Sequence, residues 1–291
     1  MDGQLLGQLA VNGVMVGFDY ALWAVGLTVI FGILQQVNFA HGELYMLAAF
    51  LLQWLLNRLG LAYEASFALV LPAMAAVGLL LAKCALLPTL RRPFEAAILA
   101  TLAVGIILQN AVRLTFGASP LRIPTRYEFQ SLEIFGLLFF GQRLVIVGIA
   151  LTSLLALFGF LRFTPIGTAL RAAAQNKDAC QMVGIDIRRL TFWTAGLGSV
   201  LCGIAGGAVA PLYDLYPSMG TDVVFKSFAV VIIGGMGNLW GAVLAALTLG
   251  LAESFAGGLG SAALRDATSF TAMILILLIR PSGIFGRVVR L

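Results

Sequence analysis

Charged residues are scarce in this 291-residue chain, since they make up only 11% of it while hydrophobic residues make up 60%. Soluble domains carry roughly 25% charged residues, so the composition excludes an ordinary soluble protein and indicates a chain embedded in a lipid bilayer. The apolar runs are continuous rather than alternating, which argues against a transmembrane barrel. The sequence therefore predicts an all-α, polytopic transmembrane helical bundle, with residues 1–291 forming a single transmembrane domain.

Residues that commonly carry chemistry are equally sparse. His41 is the only histidine, and the three cysteines, Cys84, Cys180 and Cys202, are too widely spaced for a metal site. The sequence motifs of zinc proteases, serine hydrolases and P-loop ATPases are all missing. We therefore expect no catalytic, cofactor-binding or metal-binding residues, no enzyme activity and no ATPase site in this chain. The formal charge of +5 reflects membrane orientation rather than nucleic-acid binding.

Apolar stretches long enough to form helices recur along the whole chain. They fall at about 8–34, 43–57, 65–88, 94–114, 142–163, 190–211, 222–236, 239–258 and 266–280. Positive residues favour cytoplasmic loops, and the basic residues placed on that side are Arg91, Arg92, Arg171, Lys177, Arg188, Arg189, Arg280, Arg287 and Arg290. The pattern predicts a cytoplasmic C-terminus and an external N-terminus. Segment 117–141 is then the longest external connection, either a plain loop or a short surface helix.

Two breaks interrupt the apolar pattern. The residues assigned to them are Asn38, His41, Gly42 and Glu43 in the first, and Gly234, Gly235, Gly237 and Asn238 in the second. Interrupted apolar segments in corresponding parts of two halves are typical of discontinuous helices near a transport site, and they hint at an internal repeat. The alternative is that each break is a tight turn between ordinary spans.

Few ionisable residues lie inside the apolar stretches. His41 and Glu43 would form a proton relay if both were buried and close together; otherwise they cap and anchor a turn. We expect Glu253 to lie exposed near the outer end of its span. Lys226 is expected at the membrane interface, with its aliphatic stem covering apolar surface.

The polar segment 164–189, called the island below, stands between two apolar stretches. Thr164 and Pro165 form a helix-start signal, an apolar face follows at helical spacing, and Gly184 is suited to close the helix in a left-handed conformation. A short amphipathic helix between spans is a place where a soluble partner can bind a membrane protein. The island therefore predicts a docking element.

Four segments together resemble LivH-type permeases, the membrane subunits of branched-chain amino-acid ABC importers. They are residues 26–50 with the motif NFAHGE, the island, residues 228–254 with GGMG, and residues 280–287. The resemblance covers nearly the whole chain. It implies that the island is a cytoplasmic coupling helix, whose matching residues are Arg171, Ala172, Asn176, Ala179, Gly184 and Ile185.

The resemblance also implies partners and a location. A permease of this type pairs with a LivM-like second permease, two cytoplasmic ATP-binding subunits that hold ATP-Mg, and an external substrate-binding protein, in the bacterial inner membrane. Asn238 stands where the family usually has serine, and Trp240 where proline is common. Branched-chain amino acids, urea, amides and other carboxylated compounds all stay open as cargo. The rival function is an ion-gradient-driven secondary transporter that uses His41 and Glu43.

Overall fold

The computed structural model describes residues 3–90, 92–127, 130–134 and 136–286, most of which are helical. The helices are α1 (Gly3–Leu34), α2 (His41–Leu59), α3 (Tyr63–Leu81), α4 (Leu87–Thr89), α5 (Phe94–Phe116), α6 (Gly141–Phe163), α7 (Pro165–Gln175), α8 (Lys177–Met182), α9 (Ile187–Val209), α10 (Met219–Gly234), α11 (Leu239–Leu259) and α12 (Ala262–Ile279). A π-helical segment, Ala82–Leu86, joins α3 to α4. The all-α prediction is confirmed. Three of the basic residues that were assigned to the cytoplasmic side, Arg91, Arg287 and Arg290, lie outside the described residues.

Every predicted apolar stretch forms a helix. Among the described residues, seven helices are long and apolar enough to cross a membrane, which makes the chain a multi-pass membrane protein. The two remaining stretches form α2 and α10, the helices that adjoin the breaks. With 16 residues, α10 is about 24 Å long, shorter than the roughly 30 Å hydrocarbon core. The bundle therefore contains discontinuous helices, as predicted.

The helices of the two halves pack in a matching pattern. Helix α1 lies against α11, while α9 lies against α3; α1 also contacts α10, as α9 contacts α2. Close approach of α1 to α11 requires glycine, since a Cβ on Gly13 would lie 2.8 Å from Leu251 Cα. Helices α1 and α9 run in opposite senses, because Lys177, shortly before α9, binds the Leu34 carbonyl at the end of α1. Such pairing is typical of an inverted internal repeat.

Segment 117–141 contains a β-hairpin, so the prediction of a plain loop or short helix was wrong. Strand β1 (Ser131–Ile134) pairs antiparallel with β2 (Leu137–Phe140). The two phenylalanines of β2 are of the aromatic type that strands favour. Gln8, near the start of α1, exchanges two 2.9 Å hydrogen bonds with the backbone of Leu138. We call this the hairpin end of the bundle, and the end that holds Leu34 and the island the island end.

A buried charge cluster joins four helices, which corrects the expected exposure of Glu253. Its side chain is 0% exposed, and Lys226 Nζ lies 2.5 Å from its Oε1. The hydroxyls of Tyr20 and Ser269 donate to the same carboxylate, and Arg265 Nε lies 3.6 Å away. Lys226 is therefore an ion-pair partner of Glu253 with 14% of its side chain exposed, and its position at the membrane interface stays a prediction.

A second buried acid, Asp19, was not among the residues predicted from the sequence. It lies inside the apolar run of α1, and Arg143 Nη1 of α6 lies 3.9 Å from its Oδ2. The signal was present, because an acid within a membrane span is costly and usually has a specific partner.

Candidate functional site

The first break turns the chain back into the interior of the bundle. Residues 35–40 are not helical, and α2 begins at His41, whose Nε2 lies 2.8 Å from the Trp23 carbonyl oxygen on α1. Trp23 precedes the end of α1 at Leu34 by eleven residues, which is roughly 16 Å of helix. Helix α2 therefore starts about halfway through a membrane-sized bundle.

His41 anchors this deep helix start to two neighbouring helices. Its imidazole is buried, and the Nε2–H donates to the Trp23 carbonyl. That bond leaves Nδ1 as an acceptor, and the Cys202 thiol of α9 lies 3.2 Å from it. Both ring nitrogens are thus used in packing contacts between α2, α1 and α9.

Glu43 faces different helices from His41. Its Oε1 lies 3.5 Å from the Thr221 hydroxyl at the start of α10, and Gly105 of α5 packs beside its Cγ. The other carboxylate oxygen, Oε2, is buried and has no hydrogen-bond partner among the described residues. A proton relay would require the His41 and Glu43 side chains to lie close together. His41 instead contacts α1 and α9, whereas Glu43 contacts α5 and α10.

The N-termini of α2 and α10 meet at this depth. Gly42 and Gly220 pack backbone against backbone, and a Cβ on either glycine would overlap the backbone of the other. Helix N-termini carry partial positive charge and unpaired N–H groups. Glu43, in the first turn of α2, therefore lies where two positive helix ends converge. This arrangement can receive a polar or charged group in the middle of the bundle.

A polar pocket adjoins this convergence on its hairpin-end side. Its volume is about 250 Å³, and its lining residues are Gln109, Asn110, Arg113, Ala118, Tyr216, Pro217 and Ser218. Helix α5 and the start of α10 supply most of the polar groups. A wider hollow of about 620 Å³ lies where the hairpin-end portions of α2 and α5 meet.

The second break lies at the island end, where Gly237 packs against Gly32 near the end of α1, whereas His41 lies about halfway through the bundle. Asn238 Oδ1 accepts from the Gly241 backbone N–H at 3.0 Å and so caps α11, while its Nδ2 donates to the Phe285 carbonyl at 2.9 Å. Gly235 and Gly237 have φ angles of +96° and +84°, which favour glycine. Gly234 packs closely against Gly241 across the same turn. The geometry is that of a tight turn closed by the C-terminal segment.

The island forms two helices, α7 and α8, where the sequence predicted one. The Thr164 hydroxyl accepts from the Gly167 N–H at 2.9 Å and caps α7, and Asn176 Oδ1 caps α8 through the Ala179 N–H at 2.9 Å. Gly184 has a φ of +85°, and Ile185 N–H donates to the Cys180 carbonyl at 2.9 Å. That pair forms the expected left-handed helix end, but it closes the second helix.

Most residues assigned to coupling lie on the island surface. Arg171, Asn176, Ala179 and Gly184 are exposed, while Ala172 and Ile185 are half-buried. Sequence reasoning missed the two most prominent neighbours, Met182 and Val183, whose exposures are 83% and 76%. Large apolar side chains outside the spans with so much free surface mark an interaction site when they cluster.

Lys177 connects the island to the end of α1. Its Nζ donates to the Leu34 carbonyl, one of the carbonyls that a helix C-terminus leaves without an intrahelical partner. Partial burial lowers the pKa of Lys177 below the ordinary lysine value, an effect that nearby Asp178 opposes. Lys177 therefore ties the island to the helix end from which residues 35–40 re-enter the bundle.

Comparison with known proteins decides the family. Residues 9–279 match the family described as the permease component of the branched-chain amino acid transport system. The chain belongs to this permease family. It is 31% identical over 293 residues to the high-affinity branched-chain amino acid transport system permease protein LivH of Salmonella typhimurium, covering 96% of this chain and 95% of that one.

Two further relatives place the permease within a system. BraD of Pseudomonas aeruginosa, a permease protein of the same description, is 31% identical over 96% of this chain and 95% of its own length. LivM of Escherichia coli is 24% identical over 91% of this chain and 67% of its own length. Similarity to both LivH and LivM implies that permeases of this kind work as a pair.

Proposed function

We propose that this chain is a permease subunit of an ATP-driven importer in a bacterial cytoplasmic membrane. Together with a LivM-like second permease it forms the pathway for branched-chain or related amino acids. The observation that carries the proposal is the island surface, where Met182 and Val183 are 83% and 76% exposed outside the membrane spans. Two cytoplasmic subunits that bind ATP-Mg are the partners that this apolar surface fits, and an external binding protein delivers the cargo.

Work done by the ATP-binding subunits reaches the pathway through a short chain of contacts. The island binds those subunits, and Lys177 holds the island to the end of α1. From there residues 35–40 lead to the start of α2, which packs against α10 at Gly42 and Gly220. A ligand shifts a conformational equilibrium only by its difference in affinity for the two states. The ATP-bound subunits must therefore bind one island position more tightly than the other.

The ion-gradient alternative finds no support. Both ring nitrogens of His41 are occupied by contacts with Trp23 and Cys202. The Glu43 carboxylate contacts Thr221 rather than His41. We therefore assign ATP hydrolysis to partner subunits, since the P-loop motif of ATPases is missing from this sequence. In this arrangement the C-terminal segment is cytoplasmic. Its Ile284 N–H donates to the Ile233 carbonyl near the end of α10, which lies at the island end of the bundle.

The test removes the apolar surface of the island. Replacing Met182 and Val183 by aspartate should reduce copurification of the ATP-binding subunits at least tenfold, because burial of one such side chain contributes about 1.5–3 kcal/mol. The matched control is Leu132→Asp, which alters an apolar residue on the hairpin at the opposite end that is also exposed, to 57%. Unchanged copurification of the double variant would contradict the docking role.

Uptake by reconstituted vesicles tests the energy source. The complete complex should accumulate a branched-chain amino acid only when ATP is available to its ATP-binding subunits. The chain alone should not accumulate the amino acid under a proton gradient. Accumulation by the chain alone would refute the importer assignment.

A further inference from the structure

Glu43 has an acceptor oxygen that packing does not use. Its side chain is only 8% exposed, yet Oε2 has no hydrogen-bond partner among the described residues. An acid in the first turn of α2 stabilises that helix start. This role explains why a negative charge lies there, but it does not explain why Oε2 has no hydrogen-bond partner. Buried polar atoms are almost always hydrogen-bonded. The unpaired oxygen is therefore available to a donor on a bound molecule.

The polar pocket leads to this carboxylate along two helices. On α5, Gly105 packs beside Glu43, and Gln109, four residues further, lines the pocket. At the start of α10, Thr221 contacts Glu43, and Ser218, the residue just before this helix, lines the same pocket. Each path amounts to one helical turn, or about 5 Å. A molecule in the pocket thus lies about one turn away from the residues that contact Glu43, and Oε2 itself lies against the start of α10 at Gly220.

We propose that Glu43 receives the ammonium group of the transported amino acid inside the permease. An ammonium carries three donors and no acceptor, which matches a buried carboxylate with one free oxygen. The carboxylate of the cargo then trails towards Gln109 and Arg113 in the pocket. The inference rests on the importer function proposed above and adds the chemical group that this chain itself recognises. A primary amine with a nearby carboxylate is the ligand class.

A reactivity measurement tests the electrostatics without transport. Ser218→Cys, in a complex carrying Cys84→Ala, places a thiol in the pocket; the other cysteines, Cys180 and Cys202, are buried. Cationic and anionic methanethiosulfonate reagents of similar size are compared. Glu43→Gln should lower the cation-to-anion rate ratio about fivefold, the effect of one charge about one turn away. An unchanged ratio would overturn the proposal.

Protection of the same thiol tests the ligand. Leucine at millimolar concentration should slow labelling when Glu43 is present, and Glu43→Asp should retain part of this protection, whereas Glu43→Gln should lose it. Isocaproate has leucine's carbon skeleton and carboxylate but no amino group, and it should protect in none of them. Equal protection by isocaproate would overturn the ammonium assignment even if Glu43→Gln failed to fold.

ATP-driven leucine uptake by complexes without substitutions separates the two proposals. Uptake without leucine protection of the thiol refutes the ammonium site and leaves the importer standing. Failure of uptake refutes the importer, and with it the inference that depends on it.

Discussion

Removal of the Glu253 carboxylate should destabilise the bundle strongly. Glu253 is fully buried. Its carboxylate lies 2.5 Å from Lys226 Nζ and 3.6 Å from Arg265 Nε, and it accepts hydrogen bonds from two hydroxyl groups. In Glu253→Gln, Lys226 keeps the Ser269 hydroxyl, at 3.2 Å, and the carboxylate of Asp266, at 3.4 Å, whose side chain is 73% exposed. Breaking a buried ion pair by removing one partner costs about 3–5 kcal/mol. We expect the lower end, about 3 kcal/mol, because the residual contact with Asp266 compensates in part.

A double-mutant cycle isolates the pair. Lys226→Met should cost a similar amount, since it leaves Glu253 buried with a lost cation. The double variant, Lys226→Met with Glu253→Gln, should lose at least about 2 kcal/mol less than the sum of the single losses, because it leaves neither charge without its partner. The free energy of unfolding is measured by denaturant titration of the purified chain in detergent.

The control for this cycle is Glu133→Gln, the same substitution at an exposed residue of the hairpin. It should change stability by less than about 0.5 kcal/mol. If Glu253→Gln proved equally harmless, or if the two single losses simply added, the cluster would not hold the four helices together.

Three further substitutions test other contacts. Gly42→Ala should cost about 2–3 kcal/mol of stability, because its Cβ would overlap the Gly220 backbone, whereas Gly148→Ala, with open space around it, should cost far less in the same denaturation assay. Asn238→Ala should lose about 1 kcal/mol with its helix cap, and Asn238→Ser should recover the cap but not the bond to the Phe285 carbonyl; equal losses would contradict the capping role. Ala174→Pro should interrupt α7 and abolish copurification of the ATP-binding subunits without preventing membrane insertion, while Ala174→Ser should not.

The sequence was sufficient for whatever depends on local pattern. Apolar runs fixed the helices to within a few residues, and the caps at Thr164 and Gly184 were predictable because side-chain oxygens and glycine act within one turn. The hairpin was missed, since its pairing with α1 through Gln8 depends on distant residues. The burial of Glu253 was missed for the same reason: its partners come from three other helices.

The two breaks look alike in sequence but differ in depth, and depth determines what each can do. The turn at 234–238 lies at the island end, where Asn238 and the Ile284 N–H satisfy its polar groups with backbone partners. The first break starts at the island end, but its residues 38–43 reach deep into the bundle, where each unpaired polar group is costly and non-helical backbone must be enclosed by protein or line a wet cavity. His41 meets that demand by bonding to Trp23, whereas the buried Oε2 of Glu43 has no hydrogen-bond partner among the described residues. Of the two motifs, the first is therefore the one that we propose meets the cargo, whereas the second closes the turn between α10 and α11.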